Sequence, residues 1–299
     1  LIPRQDRDKV ATLLRRHWHD YDGFICIMAT GIAVRSIAPL LVDKKTDPCV
    51  IVCDQLGRHI ISLLSGHLGG GNALATSVAA LTGGQAVITT ASDNLGLVAL
   101  DLWAKEKNLT PPGREELTSI TTELVNSGSL LLYTDFEVSA LPRGLVQCDS
   151  SETAQVIVSH KKYNTSNAVQ FYPKNLVVGT GCNRGTPLSE FEEALAELFS
   201  DLQLSVKSIR NLASIDKKND ETGLLQFAEN NSWTIDFFDK TTINSQNNLE
   251  ISFAALKAVG AIGVAEPASL LSARSNLLLS RKRKWKNITM AVAQVPFTL

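Results

Sequence analysis

The 299-residue sequence lacks any apolar run of about 18 residues or more, the length a helix needs to cross a bilayer, which excludes a membrane-spanning helix. It has almost no net charge: 29 Lys and Arg stand against 30 Asp and Glu, a formal charge of −1. A globally basic nucleic-acid binder is therefore disfavoured. Cysteine is scarce, at five residues, and no Cys-x-x-Cys pair occurs. Cys49 and Cys53 are four apart, but no nearby Cys or His completes a zinc set, so no protein metal site is expected. Cys26, Cys49 and Cys53 sit in apolar runs, which reads as buried thiols in a reducing cytosol and predicts a cytoplasmic protein. The phosphate-loop pattern GxxxxGK[ST] is missing, as are internal repeats and low-complexity tracts.

What is present is an alternation of short apolar runs with helical patterns, at 44% hydrophobic residues, enough for more than one core. Strands are expected at 23–29, 49–54 and 85–90, with helices at 9–18, 32–41, 72–81 and 95–107. The alternation predicts an α/β fold with a parallel sheet and crossover helices. The middle is less regular: a helix over 114–127 and strands near 129–133, 154–159 and 168–171 form a smaller α/β region. A new α/β unit starts near Lys174, and an antiparallel pair, 277–279 with 288–293, closes around a basic turn. The resulting domains are 1–84, 85–173 and 174–299. Residues 1–7 read as a chain entered partway, after a first strand.

Three strand-to-helix loops carry the residues best suited to chemistry. In the first, Gly66, Gly69, Gly70 and Gly71 surround His67, and Asn72 opens an alanine-rich helix. Glycines let backbone amides approach a ligand, and a helix N-terminus adds donors and a positive dipole end. His67 is a proton donor or acceptor for near-neutral pH; the same loop also suits a plain packing turn. The second loop carries Thr30, Gly31 and Arg35, where Arg35 can clamp a carboxylate and Thr30 can cap the helix. Asp54 ends a strand, and Asp47, before Pro48, reads as a turn starter. The third loop holds Gly179, Gly181, Cys182 and Arg184, a set of backbone donors with one cation. Cys182 has no neighbouring His in the sequence to activate it. Finally, Arg281 to Lys286 places five positive charges in six residues around Trp285, either a solvated hairpin turn or an acceptor of small acidic molecules.

These residues resemble the cobalt-precorrin-5A hydrolases of anaerobic cobalamin synthesis, the CbiG family. The likeness runs through Thr30 to Arg35, Ile37 to Leu40, Lys45 to Pro48, Asp54, Gly57, Leu63 to Gly70, Asn72 and Ala91 to Gly96. Downstream, Val178 to Cys182, Arg184 to Thr186, Leu212 to Lys218, Gly263 to Leu270, Lys282 and Ile288 to Ala293 resemble its C-terminal, CobE-like module. The ordered set spans nearly the whole chain.

The resemblance implies a cobalt-bearing tetrapyrrole rich in carboxylates, with a δ-lactone that is opened as acetaldehyde is released. The cobalt belongs to the substrate and no cofactor is expected. On this reading His67 is the base, Asp54 or Asp47 orients it or acts as a second acid or base, and the amides of Gly69, Gly70 and Gly71 bind an oxyanion or carboxylate. Thr30, Gly31, Arg35, Lys45, Asn72, Gly179, Gly181, Cys182, Arg184, Lys217, Glu266 and Lys282 complete the binding set. Other enzymes of the pathway, or fusion to a precorrin methyltransferase, are the expected partners, with no nucleic acid and no membrane; oligomeric state is left open. A non-catalytic corrinoid carrier would share the anion loops without needing His67, and a nucleotide-phosphate enzyme would need tight nucleotide binding.

Overall fold

The computed structural model describes residues 9–43, 46–165, 167–246 and 249–299. Lys45, and the opening residues 1–8, lie outside them. The chain divides into two compact units: one of residues 1–103, 121–129 and 142–144, the other of 104–120, 130–141 and 145–299.

In chain order the first elements are α1 (Val10–His17), β1 (Gly23–Ile27), α2 (Thr30–Ile37), β2 (Cys49–Cys53), β3 (His59–Leu64), α3 (Gly71–Thr82), β4 (Gln85–Val87), α4 (Ala91–Leu95) and α5 (Leu100–Glu106). The sheet runs β1-β2-β3-β4, so it extends past residue 84. Strand β2 is buried along its whole length, which its unbroken apolar run anticipates. Its Val50 and Val52 meet Leu14, Trp18, Ala33 and Ile37 on one face, while Ile51 and Cys53 meet Ile60, Ala75 and Ala79 on the other. Alanines on α3 let that helix lie close to the sheet. The helix expected over 95–107 is broken, because Gly96 takes φ +63° and ends α4.

The α/β class is as expected, but the first sheet is mixed. Strands β1 and β2 are parallel, as are β3 and β4, whereas β2 and β3 form an antiparallel hairpin. The turn at Gly57 returns the chain directly, with no crossover helix. The carboxyl ends of β1 and β2 therefore point to one edge, and those of β3 and β4 to the other. Five residues of strand separate the edges by roughly 16 Å.

The chain continues with β5 (Leu109–Thr110), α6 (Arg114–Ser127), β6 (Leu130–Thr134), β7 (Leu145–Gln147), β8 (Val156–Val158) and β9 (Val169–Pro173). Strands β7-β6-β8-β9 are parallel and β5 closes the edge in the antiparallel sense. Then follow β10 (Leu176–Cys182), α7 (Leu188–Asp201), β11 (Ile209–Ile215), α8 (Thr222–Asn230), β12 (Ile235–Phe238), α9 (Lys240–Asn244), α10 (Phe253–Val259), α11 (Ala265–Ala273), β13 (Leu278–Lys284) and β14 (Ile288–Gln294). Their sheet has the order β12-β11-β10-β14-β13, with β10, β11 and β12 parallel. Helices α7 and α8 cover one face around Phe191, Phe199 and Phe227; α11 covers the other around Ala268 and Leu270. The basic run is strand rather than turn as far as Lys284, because long cationic side chains suit an edge strand open to solvent.

Candidate active site

The loop from β3 to α3 is folded on its own backbone. Ser65 takes φ +52° and Gly70 +83°, a left-handed pair that brings Ser65 to Gly71 into a tight coil. A Cβ on Gly69 would sit 2.4 Å from Cβ of Ser65, and one on Gly71 would sit 2.9 Å from the Leu64 carbonyl. The glycines are thus required by packing. Their amides are also engaged: Gly70 donates to the His67 carbonyl (2.9 Å), Gly71 to Ser65 (3.1 Å) and Asn72 to Gly66 (2.8 Å). This corrects the expectation that Gly70 and Gly71 offer donors to a ligand. Among the described residues the Gly69 amide has no such internal acceptor.

The coil presents His67 to a set of polar side chains from α4 and α5. Its Nε2 lies 2.8 Å from Oδ2 of Asp93, and its Nδ1 lies 3.8 Å from Oδ1 of Asp101. The same Asp93 oxygen accepts from Asn72 Nδ2 at 2.8 Å and from Thr90 Oγ1 at 2.6 Å, and Asn72 also donates to Thr90 at 2.9 Å. Burial pushes the Asp93 carboxyl up, but the hydrogen bonds from Thr90, His67 and Asn72, with the charge of His67, outweigh it and hold the group below the usual carboxylate range. Asp93 is therefore an anion, and Nε2 is the ring nitrogen that meets it. Nδ1 is the nitrogen that Asp93 does not engage, with the imidazole one-fifth exposed. At 3.8 Å, Nδ1 and the Asp101 carboxylate are neighbours but too far apart for a direct hydrogen bond.

Asp93, Thr90 and Asp101 are the residues that sequence reasoning did not assign. Asp93 stands 26 positions from His67, and only the Ala91 to Gly96 stretch hinted at it.

The residues expected beside His67 are placed elsewhere. Asp54 closes the β2–β3 turn, accepting from the amides of Leu56 (2.8 Å), Arg58 (3.3 Å) and His59 (2.7 Å). It stands at the opposite edge of the sheet, so it does not orient the imidazole. Thr30, Gly31 and Arg35 share that far edge. Ala29, not Thr30, occupies the cap position of α2, and the Arg35 guanidinium folds back toward Gly31. Asp47 is on the His67 edge, but its carboxylate accepts from the Val42 amide (2.9 Å), while its carbonyl receives Ser65 Oγ (3.1 Å). It supports the coil rather than acting on the ring.

In the second unit the expected binding residues divide into packing, surface and cleft positions. A Cβ on Gly179 would fall 1.8 Å from the Ala265 carbonyl, so this glycine lets α11 lie on β10. Glu266 is buried and accepts the Lys282 amide at 2.7 Å. Arg184 is engaged by Asp220 and the Lys217 carbonyl, and Lys217 donates to the Val259 carbonyl. Gly181, Cys182 and Lys282 line a cleft of about 420 Å³. Burial pushes the Cys182 thiol up to about 11, Lys218 and Arg184 opposing and Glu221 adding to the rise, so it is a neutral thiol and not a nucleophile. Among the described residues, no three His, Cys, Asp or Glu side chains gather into a metal-binding group, and no helix is long and apolar enough to cross a membrane.

Comparison with known proteins places both units. Residues 12–93 match the family model "Cobalamin synthesis G N-terminal" and residues 176–293 match "Cobalamin synthesis G C-terminus". The cobalt-precorrin-5A hydrolase of Priestia megaterium is 34% identical over 96% of this chain and 82% of its own length. That of Salmonella typhimurium is 32% identical over 95% of this chain and 85% of its own length. Protein CobE of Sinorhizobium sp. is 32% identical over 40% of this chain and 79% of its own length.

Proposed function

The chain belongs to the cobalt-precorrin-5A hydrolase family of cobalamin biosynthesis, and from that premise we propose that it opens the δ-lactone of a cobalt-bearing tetrapyrrole and releases acetaldehyde, with His67 as the base. The observation that carries this reading is the Asp93–His67 pair at 2.8 Å, which leaves Nδ1 free to take a proton. In this reading the attacking water is taken up at Nδ1, beside Asp101. His67 removes its proton as the oxygen attacks the lactone carbonyl, and the Gly69 amide faces the oxyanion that forms. Collapse breaks the acyl–oxygen bond. The departing alkoxide becomes the aldehyde oxygen as its two-carbon unit separates from the ring, the bonding pair passing to the macrocycle. The proton held on His67 returns to the product, so one water is consumed and no redox partner is needed. The cobalt stays on the substrate and no resident cofactor takes part. All five cysteines are unpaired, which supports a reducing, cytoplasmic setting.

General acid–base assistance contributes about 10²- to 10⁴-fold, and His67→Ala should lower acetaldehyde release by that factor in anaerobic assays with cobalt-precorrin-5A. Full turnover by the variant removes His67 from the mechanism. A chain that binds the substrate and never yields acetaldehyde is a carrier instead.

A further inference from the structure

The second unit contains a cleft lined by none of the residues given a part in the proposed chemistry. It opens at the carboxyl edge of β10 and β11, the edge where parallel α/β sheets receive ligands. Its volume, about 420 Å³, falls within the range of small-molecule sites. One wall is apolar and shallow, made by Ala255, Ala258 and Val259 of α10 with Val264. The lining also carries the cations Lys282, Lys284 and Lys286 of β13 and its turn.

The charges along this run are sorted by side. Arg281 and Arg283 do not line the cleft; they face Glu250 (3.9 Å) and Asp201 (2.7 Å). The three lysines between and beyond them do line it, and among the described residues none has a carboxylate within 4.0 Å. Lys218, deeper in the cleft, is already balanced by the buried Glu221 at 3.4 Å. The turn that carries the lysines is tied down from outside: Glu197 accepts from the Trp285 indole at 2.8 Å, and Glu190 holds Asn287 at 2.9 Å. Three unbalanced ammonium groups are thus held against an apolar wall on an anchored hairpin. Like charges gathered this way repel one another until an anion arrives.

We propose that this cleft is a binding site for the carboxylate arms of an anionic tetrapyrrole, the lysines taking the carboxylates and the small-residue wall of α10 taking the apolar body. The choice of occupant rests on the hydrolase reading above; the site itself lies wholly in the second unit.

The test is calorimetric titration of the full chain with a cobalt corrin heptacarboxylate and, separately, with its heptamethyl ester. The acid binds, more weakly as salt rises, and the ester binds far less. Combining Lys282→Gln, Lys284→Gln and Lys286→Gln weakens the acid by about 10-fold, the sum of three exposed ion pairs, and flattens the salt dependence. Ala258→Trp, which fills the cleft at an exposed position without changing charge, weakens it as well. Combining Arg281→Gln with Arg283→Gln leaves binding as it was. Equal binding of acid and ester, wild-type affinity in both cleft variants, or an equal loss in the double arginine variant each overturns the proposal. His67→Ala separates the two readings. If it keeps full acetaldehyde release, the hydrolase assignment fails while the titrations still decide the cleft. If it loses turnover and the cleft variants bind normally, only the cleft fails.

Discussion

One carboxylate oxygen organises the site, and its workload can be counted. Oδ2 of Asp93 receives Thr90, Asn72 and His67 together, while the histidine is held up by a coil with no room for a Cβ at Gly69 or Gly71. Asp93→Asn keeps the shape but turns an acceptor of three bonds into a mixed donor and acceptor, so Nε2 loses its anionic anchor. Turnover is expected to fall by about 10²-fold or more, measured as acetaldehyde release. The pH dependence follows from the direction of the shift. A carboxyl held below its unfolded value, about 3.9, stabilises the fold above that value and ceases to do so as pH falls through the folded one. Asp93 is therefore charged throughout the range from about pH 5 to 8 in which an imidazole changes charge. Any acid limb of the rate profile in that range should persist in Asp93→Asn, and its disappearance would reassign the titrating group. The histidine was legible in the sequence because four glycines around one imidazole are unusual. Its partner was not, because Asp93 reaches it through tertiary structure across 26 positions.

Elements decide which of the legible residues meet. The apolar runs of β1 and β2 were readable, but the direction that the turn at Gly57 imposes on the sheet was not drawn from the sequence. Read as parallel, the first unit gathers Thr30, Arg35, Asp54 and His67 at one edge; the antiparallel hairpin sends Thr30, Arg35 and Asp54 to the other. Asp54→Ala should accordingly lower the denaturation midpoint by opening the β2–β3 turn, yet leave kcat/KM for the lactone unchanged. A large loss of kcat would restore Asp54 to the site. Helix α11 offers the complementary case. Its carbonyl at Ala265 occupies the space a side chain on Gly179 would need, so Gly179→Ala must push helix from strand. A cost of about 1–3 kcal/mol is expected from such overpacking, read by urea denaturation. Strand β11 was missed in the sequence for a related reason. Asn211 and Ser214 interrupt its apolar pattern, and both are satisfied inside the fold, by Ser272 and Asp236 and by the Thr180 carbonyl.

At the scale of the whole molecule, the ordered likeness to the hydrolases was the most legible feature; between the two family matches, α6, β6, β8 and β9 were readable and β5 and β7 were not. Those two strands are two and three residues long, too short for a period to show. Charge is the property that most needs this scale. The chain carries a formal −1, so it offers a polyanionic substrate no attraction at long range, and any steering must come from local cations at short range. Unbalanced ammonium groups such as Lys282, Lys284 and Lys286 act within a Debye length, about 10 Å at 0.1 M salt. Rising ionic strength should therefore depress kcat/KM through KM, while kcat at saturation holds steady because His67 and Asp93 are in direct contact and poorly screened. Steady-state acetaldehyde release at several salt concentrations measures both quantities. A flat KM would mean that the substrate's carboxylates are not read by charge, and a falling kcat would place the salt-sensitive step in the chemistry itself.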